Sequence, residues 1–290
     1  MTSLCVTPLG QGYNRSRASV AARRIGRAAL IALWDELCLY PKPGLVSLVD
    51  SGAHDDMDAG TFRRSIWSLR RYFTAIADAG AAGAPFEELQ WLGQDAERRM
   101  LRATKGINTH RGAIFTLGLL AAAAGFESAR ERPLSAGALA ETVVRQWGEG
   151  IAAAGRQSSD SHGSRAVRRY GARGARDEVL DGLPTLTALG LAPLRATRSS
   201  LGCPERARVQ ALFSVMAVLD DTNLLHRGGE DGLAFVQTEA RRFLDAGGVF
   251  DSRWRERALS LHRACIARRL SPGGAADMLA AACFLDWITV

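Results

Sequence analysis

Ten residues of this 290-residue chain belong to types that the rest of it almost avoids: beside 35 arginines it carries two lysines, three asparagines and five histidines. Eight of those ten fall in four windows, 40–58, 104–112, 161–178 and 220–231, which cover 58 of the 290 positions. Even spreading would place about two there. The same windows hold Asp55, Asp56, Asp58, Asp220, Asp221 and Asp231 and many of the glycines. Carboxylates, imidazoles, cations and glycine turns gathered in this way make a polar ligand site, not a core.

Each window has its own chemistry. In Tyr40-Pro41-Lys42-Pro43-Gly44 two prolines fix a turn and aim the Lys42 ammonium, a contact suited to phosphate; the plainer alternative is an exposed loop lysine beside a helix stop. His54-Asp55-Asp56-Met57-Asp58 follows, with three carboxylates in four positions. One acid is an ordinary cap for a helix starting near Thr61, but three exceed that need. Hard oxygen donors of this kind suit Mg²⁺, which keeps several waters and bridges to substrate phosphates. In the second window Asn108, Thr109, His110 and Arg111 precede an apolar helix, where free backbone N–H groups receive phosphate. Its spacing is not that of a Walker A loop, and a capped helix with a hydrogen-bonded histidine is the alternative. The third runs from Ser161-His162-Gly163 through Arg165, Arg168, Arg169, Arg173 and Arg176 to Glu178, either a guanidinium cluster for bidentate phosphate recognition or a solvated basic loop. In the fourth, the apolar positions Val209, Leu212, Phe213 and Met216 lead to Asp220-Asp221-Thr222-Asn223 and on to His226-Arg227-Gly228-Gly229. Adjacent aspartates there are costly to bury without a cation. Windows one and four together suggest a two-sided magnesium site with Asp55, Asp58 and Asp221 as ligands.

Helices must position these windows. Apolar residues recur at helical spacing over 19–39 and stop at the Pro-Lys-Pro-Gly turn. Phe62, Ile66, Leu69, Phe73 and Ile76 predict one amphipathic helix from Thr61 to near Gly80. Further helices are predicted over 85–103, 135–153, 204–220, 231–246, 252–269 and 272–288, and the nearly all-apolar Gly112–Ala124 predicts a central helix buried on every side. Period-two alternation is nearly absent. The expectation is an all-α fold: a flexible tail over 1–16, one compact multi-helix domain over 17–290, and long functional loops at 154–182 and 190–203.

The totals narrow the function. A chain that is 47% hydrophobic and 23% charged can bury a large core. It has no membrane-length apolar run and no apolar leader, so a soluble cytoplasmic protein is expected. A net charge of +7 suits an anionic partner. The arginine doublets lie on polar helix faces without interleaved aromatics, which argues against nucleic acid. Five widely spaced cysteines, odd in number and without a CxxC pair, read as reduced packing residues.

Six segments resemble, in order, the triphosphoribosyl-dephospho-CoA synthase family, which serves malonate decarboxylase and citrate lyase. They are Pro-Lys-Pro-Gly-Leu-Val at 41–46, Gly-Ala-His-Asp-Asp-Met-Asp at 52–58, Gly-Ile-Asn-Thr-His-Arg-Gly-Ala-Ile-Phe at 106–115, Gly-Ala-Arg at 174–176 with Glu178, Asp-Thr-Asn-Leu-Leu-His-Arg-Gly-Gly at 221–229, and Ser-Pro-Gly-Gly-Ala-Ala-Asp at 271–277. Lys105 and Asp177 stand where the family pattern has glycine, which weakens Lys105 as a site residue, and Arg111 stands where lysine is also common. The resemblance implies transfer of the triphosphoribosyl group of ATP to the 2′-hydroxyl of 3′-dephospho-CoA, with loss of adenine. The product would pass to a transferase acting on an acyl-carrier subunit; the unfused chain leans to malonate decarboxylase over citrate lyase. Lys42, Arg111 and Arg227 would hold the triphosphate, with Asn108, Thr109, His110, Arg173, Arg176, Asn223 and Gly228 completing the ATP site. Glu178 or an aspartate such as Asp221 would be the base, His54, His110 and His226 would orient phosphate or protonate adenine, and Mg²⁺ would sit on Asp55, Asp58 and Asp221. Two other classes fit the windows less fully: a magnesium-dependent ADP-ribosyl-type hydrolase, with water as nucleophile, and an arginine-rich helical RNA-binding protein.

Overall fold

The computed structural model describes residues 10–156 and 162–289, and among them it contains helices and no strand. The all-α expectation holds. The chain runs α1 (Gly10–Cys38), α2 (Ala59–Ser68), α3 (Tyr72–Ala81), α4 (Phe86–Ala103), α5 (Arg111–Ser128), α6 (Ala136–Arg156), α7 (His162–Tyr170), α8 (Ala175–Leu180), a π-helical turn (Leu186–Leu191), α9 (Ala192–Leu201), α10 (Pro204–Met216), α11 (Thr222–Asp245), a 3₁₀ turn (Gly248–Phe250), α12 (Trp254–Ala267) and α13 (Gly273–Ile288). Residues 1–9 of the expected tail lie outside the described residues, and 10–16 open α1.

The core is built around α5, buried from Ala113 to Glu127 apart from Phe115, with α1, α3, α6 and α13 packed about it. Its composition explains how closely they pack. A Cβ on Gly80 would lie 2.0 Å from the Ala122 carbonyl oxygen, and one on Gly125 would lie 2.0 Å from that of Ala77. The α3 and α5 backbones therefore touch directly, which only glycine allows at those two crossings. Phe73, Leu117 and Leu120 are fully buried in the core, and each stabilises the fold by roughly 1.5–3 kcal/mol relative to exposure.

Three expectations need correction. The helix predicted from Thr61 to near Gly80 is two helices, α2 and α3, separated by a turn at Leu69–Arg71. The apolar spacing carries across that turn because α2 packs on α4 while α3 packs on α5 and α1, so both keep apolar faces inward. The two expected loops are largely helical as well. Over 154–182, Gly- and Arg-rich composition hides α7, which packs against α11, and α8, while residues 157–161 lie outside the described residues. Over 190–203, Leu194 and Thr197 supply the buried face of α9 against the π-turn and α10. Finally, α11 begins at Thr222, not near 231, and kinks at Gly229 (φ 62°, ψ −160°), so the fourth window forms a helix start.

Candidate active site

A cavity of about 1720 Å³ opens where α4, α5 and α8 meet the segments leading into α11 and α13. Its wall includes residues at the N-terminal ends of four helices: Asn108–Gly112 for α5, Gly174 and Ala175 for α8, Thr222 and Asn223 for α11, and Gly273 and Gly274 for α13. The positive dipole ends of these helices favour an anion, although side chains already accept several of their first N–H groups. Asn108 is part of this geometry, its Oδ1 accepting the Arg111 backbone N–H at 3.1 Å.

Glycines let the motif segments meet. A Cβ on Gly112 would be 2.0 Å from Asp277 Oδ2, one on Gly273 2.9 Å from Asn223 Nδ2, and one on Gly274 3.0 Å from Asp221. Any side chain at these positions would push the α5, α11 and α13 starts apart. Windows two and four are thereby joined to the 271–277 segment, which composition alone did not mark.

His54, Asn108, Thr109, His110, Arg111, Arg173, Arg176, Glu178, Asn223, His226 and Arg227 all line the cavity, so most of the expected site does converge. His54 is held between Arg227 Nη2, 2.9 Å from its Nδ1, and Ser271 Oγ, 2.9 Å from its Nε2. Burial and the Arg227 guanidinium push its pKa down to about 4, so it is neutral at physiological pH. Arg111 pairs with Glu97, and Arg173 pairs with Asp181 while its backbone N–H donates to Asp220 Oδ2. The Nε atoms of Arg111 and Arg176 are buried without an acceptor among the described residues. His226 is exposed on the first turns of α11. His162 opens α7, but the residues before it are outside those described.

Lys42, Asp55, Asp58, Asp221 and Gly228 do not line the cavity. Lys42 is fully buried, its Nζ donating to Glu36 Oε1 at 2.5 Å and to the Glu36 carbonyl at 2.7 Å, so its charge is spent on an internal ion pair. His262 braces the same turn, its Nδ1 3.0 Å from the Lys42 carbonyl oxygen. Asp58 is the N-cap of α2, accepting from the Thr61 N–H at 2.7 Å. Asp55 faces solvent beside Arg269. Asp221 is buried and caps two helices: Oδ1 accepts the N–H groups of Asn223 (2.9 Å) and Leu224 (3.4 Å) in α11, and Oδ2 that of Ala275 (2.9 Å) in α13. Burial still raises its carboxyl above the usual range. Gly228 sits against Leu270, where a Cβ would be 2.5 Å from Cδ2. The trio Asp55, Asp58 and Asp221 therefore does not fit as a metal-binding set, and among the described residues no group of three His, Cys, Asp or Glu side chains converges to hold a metal. Glu178 reaches the wall with its oxygens committed to the Thr185 and Leu186 N–H groups, at 2.7 and 3.2 Å, and to Thr185 Oγ1.

Asp56 and Asp220, counted among the clustered acids but given no role of their own, and Glu36 and Asp277, outside the four windows, also line the cavity. Asp277, on the second turn of α13, accepts the Ala113 N–H; burial, with Glu36 and Asp221 nearby, holds its carboxyl well above the usual range. Its signal was present, because it ends the sixth family-like segment. Glu36 gave none, being one acid on a helix with no motif around it.

Residues 22–290 match the family model described as ATP:dephospho-CoA triphosphoribosyl transferase. The chain belongs to that family. It is 44% identical over 278 residues, 94% of each chain, to a protein of Stutzerimonas stutzeri (strain A1501) named Probable 2-(5''-triphosphoribosyl)-3'-dephosphocoenzyme-A synthase. Proteins of the same name in Pseudomonas syringae pv. syringae (strain B728a) and Acinetobacter calcoaceticus are 41% and 37% identical, covering 91% of this chain and 91% and 90% of their own. No solved structure matches. The family places the chain among the transferases. No helix among the described residues is long and apolar enough to cross a membrane, and the four cysteines among them are free. Burial pushes the thiols of Cys265 and Cys283 up to about 12, as packing residues require.

Proposed function

We propose that this protein transfers the 5-triphosphoribosyl group of ATP to the 2′-hydroxyl of 3′-dephospho-CoA and releases adenine. The observation that carries this reading is the convergence of four helix N-termini and the Arg111, Arg173, Arg176 and Arg227 side chains on one cavity with carboxylates in its wall. The N-termini and guanidiniums suit a triphosphate that remains attached to the ribose throughout. The bond from C1′ to N9 of adenine breaks with its electron pair leaving on the base, the acceptor oxygen bonds to C1′, and the hydroxyl proton ends on adenine.

Within this reading the carboxylates divide by environment. Asp277, whose burial favours the protonated form, is a donor for the departing base, while Asp56 and Asp220, more open to the cavity, are the acceptors for the hydroxyl proton. Glu178 and Asp221 serve as helix caps that hold the wall in place. Magnesium enters as the counterion of the triphosphate, and no step is assigned to it. The product, a phosphoribosylated coenzyme fragment, suits a following transfer to an acyl-carrier subunit, with malonate decarboxylase as the first system to test, in the cytoplasm.

The test is adenine release from ATP with and without 3′-dephospho-CoA. Release only with the acceptor is expected. Equal release without it would replace this reading by an ADP-ribosyl-type hydrolysis, with water as the nucleophile.

A further inference from the structure

We propose that His110 presents a neutral Nε2–H to a ring nitrogen of the departing purine, and that Ser65 on α2 is the positioning residue that fixes this tautomer. The proposal rests on the reaction above.

A chain of two hydroxyls reaches the Nδ1 side of the ring. Thr109 Oγ1 lies 2.7 Å from Ser65 Oγ, and Ser65 Oγ lies 2.6 Å from His110 Nδ1. With the Thr109 hydroxyl donating to Ser65, the Ser65 hydroxyl has His110 Nδ1 as its acceptor. In the proposed relay the chain runs Thr109 to Ser65 to His110, Nδ1 accepts, and the ring proton sits on Nε2. Nε2 is buried and has no hydrogen-bond partner among the described residues, while the residue, only 3% exposed, lines the cavity. A buried N–H left unpaired is costly unless a ligand atom completes it.

The surroundings point to a base and not to a phosphate. The imidazole meets the Phe62 ring edge to face, with centroids 5.0 Å apart, and Met57, Ile107 and Ile114 also line the cavity. A flat heterocycle fits beside these groups better than a polyanion does. Burial, and after it the Lys42 charge, push the imidazole pKa down to about 3, so the ring donates a hydrogen bond without gaining or losing a proton. Negative charge growing on the purine as C1′–N9 opens strengthens that bond, which makes it worth most at the transition state.

Two measurements test this. Nitrogen-15 spectra of the histidine rings in the intact protein should show His110 protonated at Nε2, with the tautomer lost or mixed in Ser65→Ala; protonation at Nδ1 in the wild type would overturn the relay. Turnover should then be compared for ATP, 3-deaza-ATP and 7-deaza-ATP with 3′-dephospho-CoA as acceptor. His110→Ala should lose about 10²- to 10³-fold in kcat with ATP. One deaza analogue should be impaired in the wild type, and its penalty should shrink in His110→Ala, since both changes remove the same bond. Equal penalties in wild type and variant for both analogues would overturn the purine contact. If the wild type releases no adenine with ATP, the underlying reaction fails and the purine contact falls with it, while the nitrogen-15 result still decides the relay.

Discussion

Replacing Asp221 by Ala removes one carboxylate and uncaps two helices. The N–H groups of Asn223 and Leu224 in α11 and of Ala275 in α13 lose their acceptor inside the protein. Loss of an N-cap costs typically ~1 kcal/mol, and leaving a buried N–H unpaired adds to that, so two helix starts together give about 2–4 kcal/mol. At about 2–4 °C per kcal/mol for a domain approaching this size, the midpoint should fall by about 4–16 °C. Asp221→Asn keeps one carbonyl oxygen and turns an NH₂ toward the other helix start, so it should lose about half as much. Thermal unfolding followed by circular dichroism measures both, and adenine release per folded molecule should fall far less than stability implies for a catalytic acid, because Asp221 does not line the cavity. If Asp221→Asn keeps its midpoint within about 1 °C yet loses turnover by 10²-fold or more, the carboxylate acts in the chemistry and the capping explanation is wrong.

Lys42→Ala should destabilise the protein by about 3–5 kcal/mol in urea unfolding, since Glu36 is left buried without its cation, and Lys42→Met with Glu36→Gln should recover much of that. Asp277→Asn should cut turnover yet raise stability at pH 8: the folded state holds this proton more tightly than the unfolded chain, so its ionisation costs stability as pH rises out of the ordinary carboxylate range, and the gain should close near pH 4. An unchanged urea midpoint at pH 8 would speak against that ionisation. His54 and His110 act in the opposite direction. Their folded pKa values, about 4 and about 3, lie below the ordinary 6.5, so their contribution is fully present above 6.5 and is lost as pH falls toward those values. His110→Gln should narrow the difference in urea midpoint between pH 7 and pH 5, and an undiminished difference would contradict the buried neutral imidazole.

The helical class was legible in the sequence because α4, α5, α12 and α13 each carry an uninterrupted periodic or all-apolar run. The α2–α3 break was not, because two helices meeting different neighbours can share one periodic pattern across a short turn. Composition located most of the polar part of the cavity wall, including His54, His110 and Asn223, since rare polar types in this arginine-rich chain are concentrated there. It could not separate a carboxylate that lines a cavity from one that caps a helix. Asp58 and Asp221 look the same in sequence as Asp56 and Asp220, and only the N–H groups placed above them by folding decide the difference. Glu36 and Ser65 were invisible for a related reason, each being one polar residue on a helix whose partner is distant in the chain or set by the path of a turn.

The central claim concerns which bond of ATP breaks. Incubating the protein with ATP, Mg²⁺ and 3′-dephospho-CoA, and resolving the products by chromatography with mass detection, should give adenine and acceptor carrying an intact triphosphoribosyl group in equal amounts, with no ADP. ADP together with a phosphorylated acceptor would contradict the assignment of ribosyl transfer.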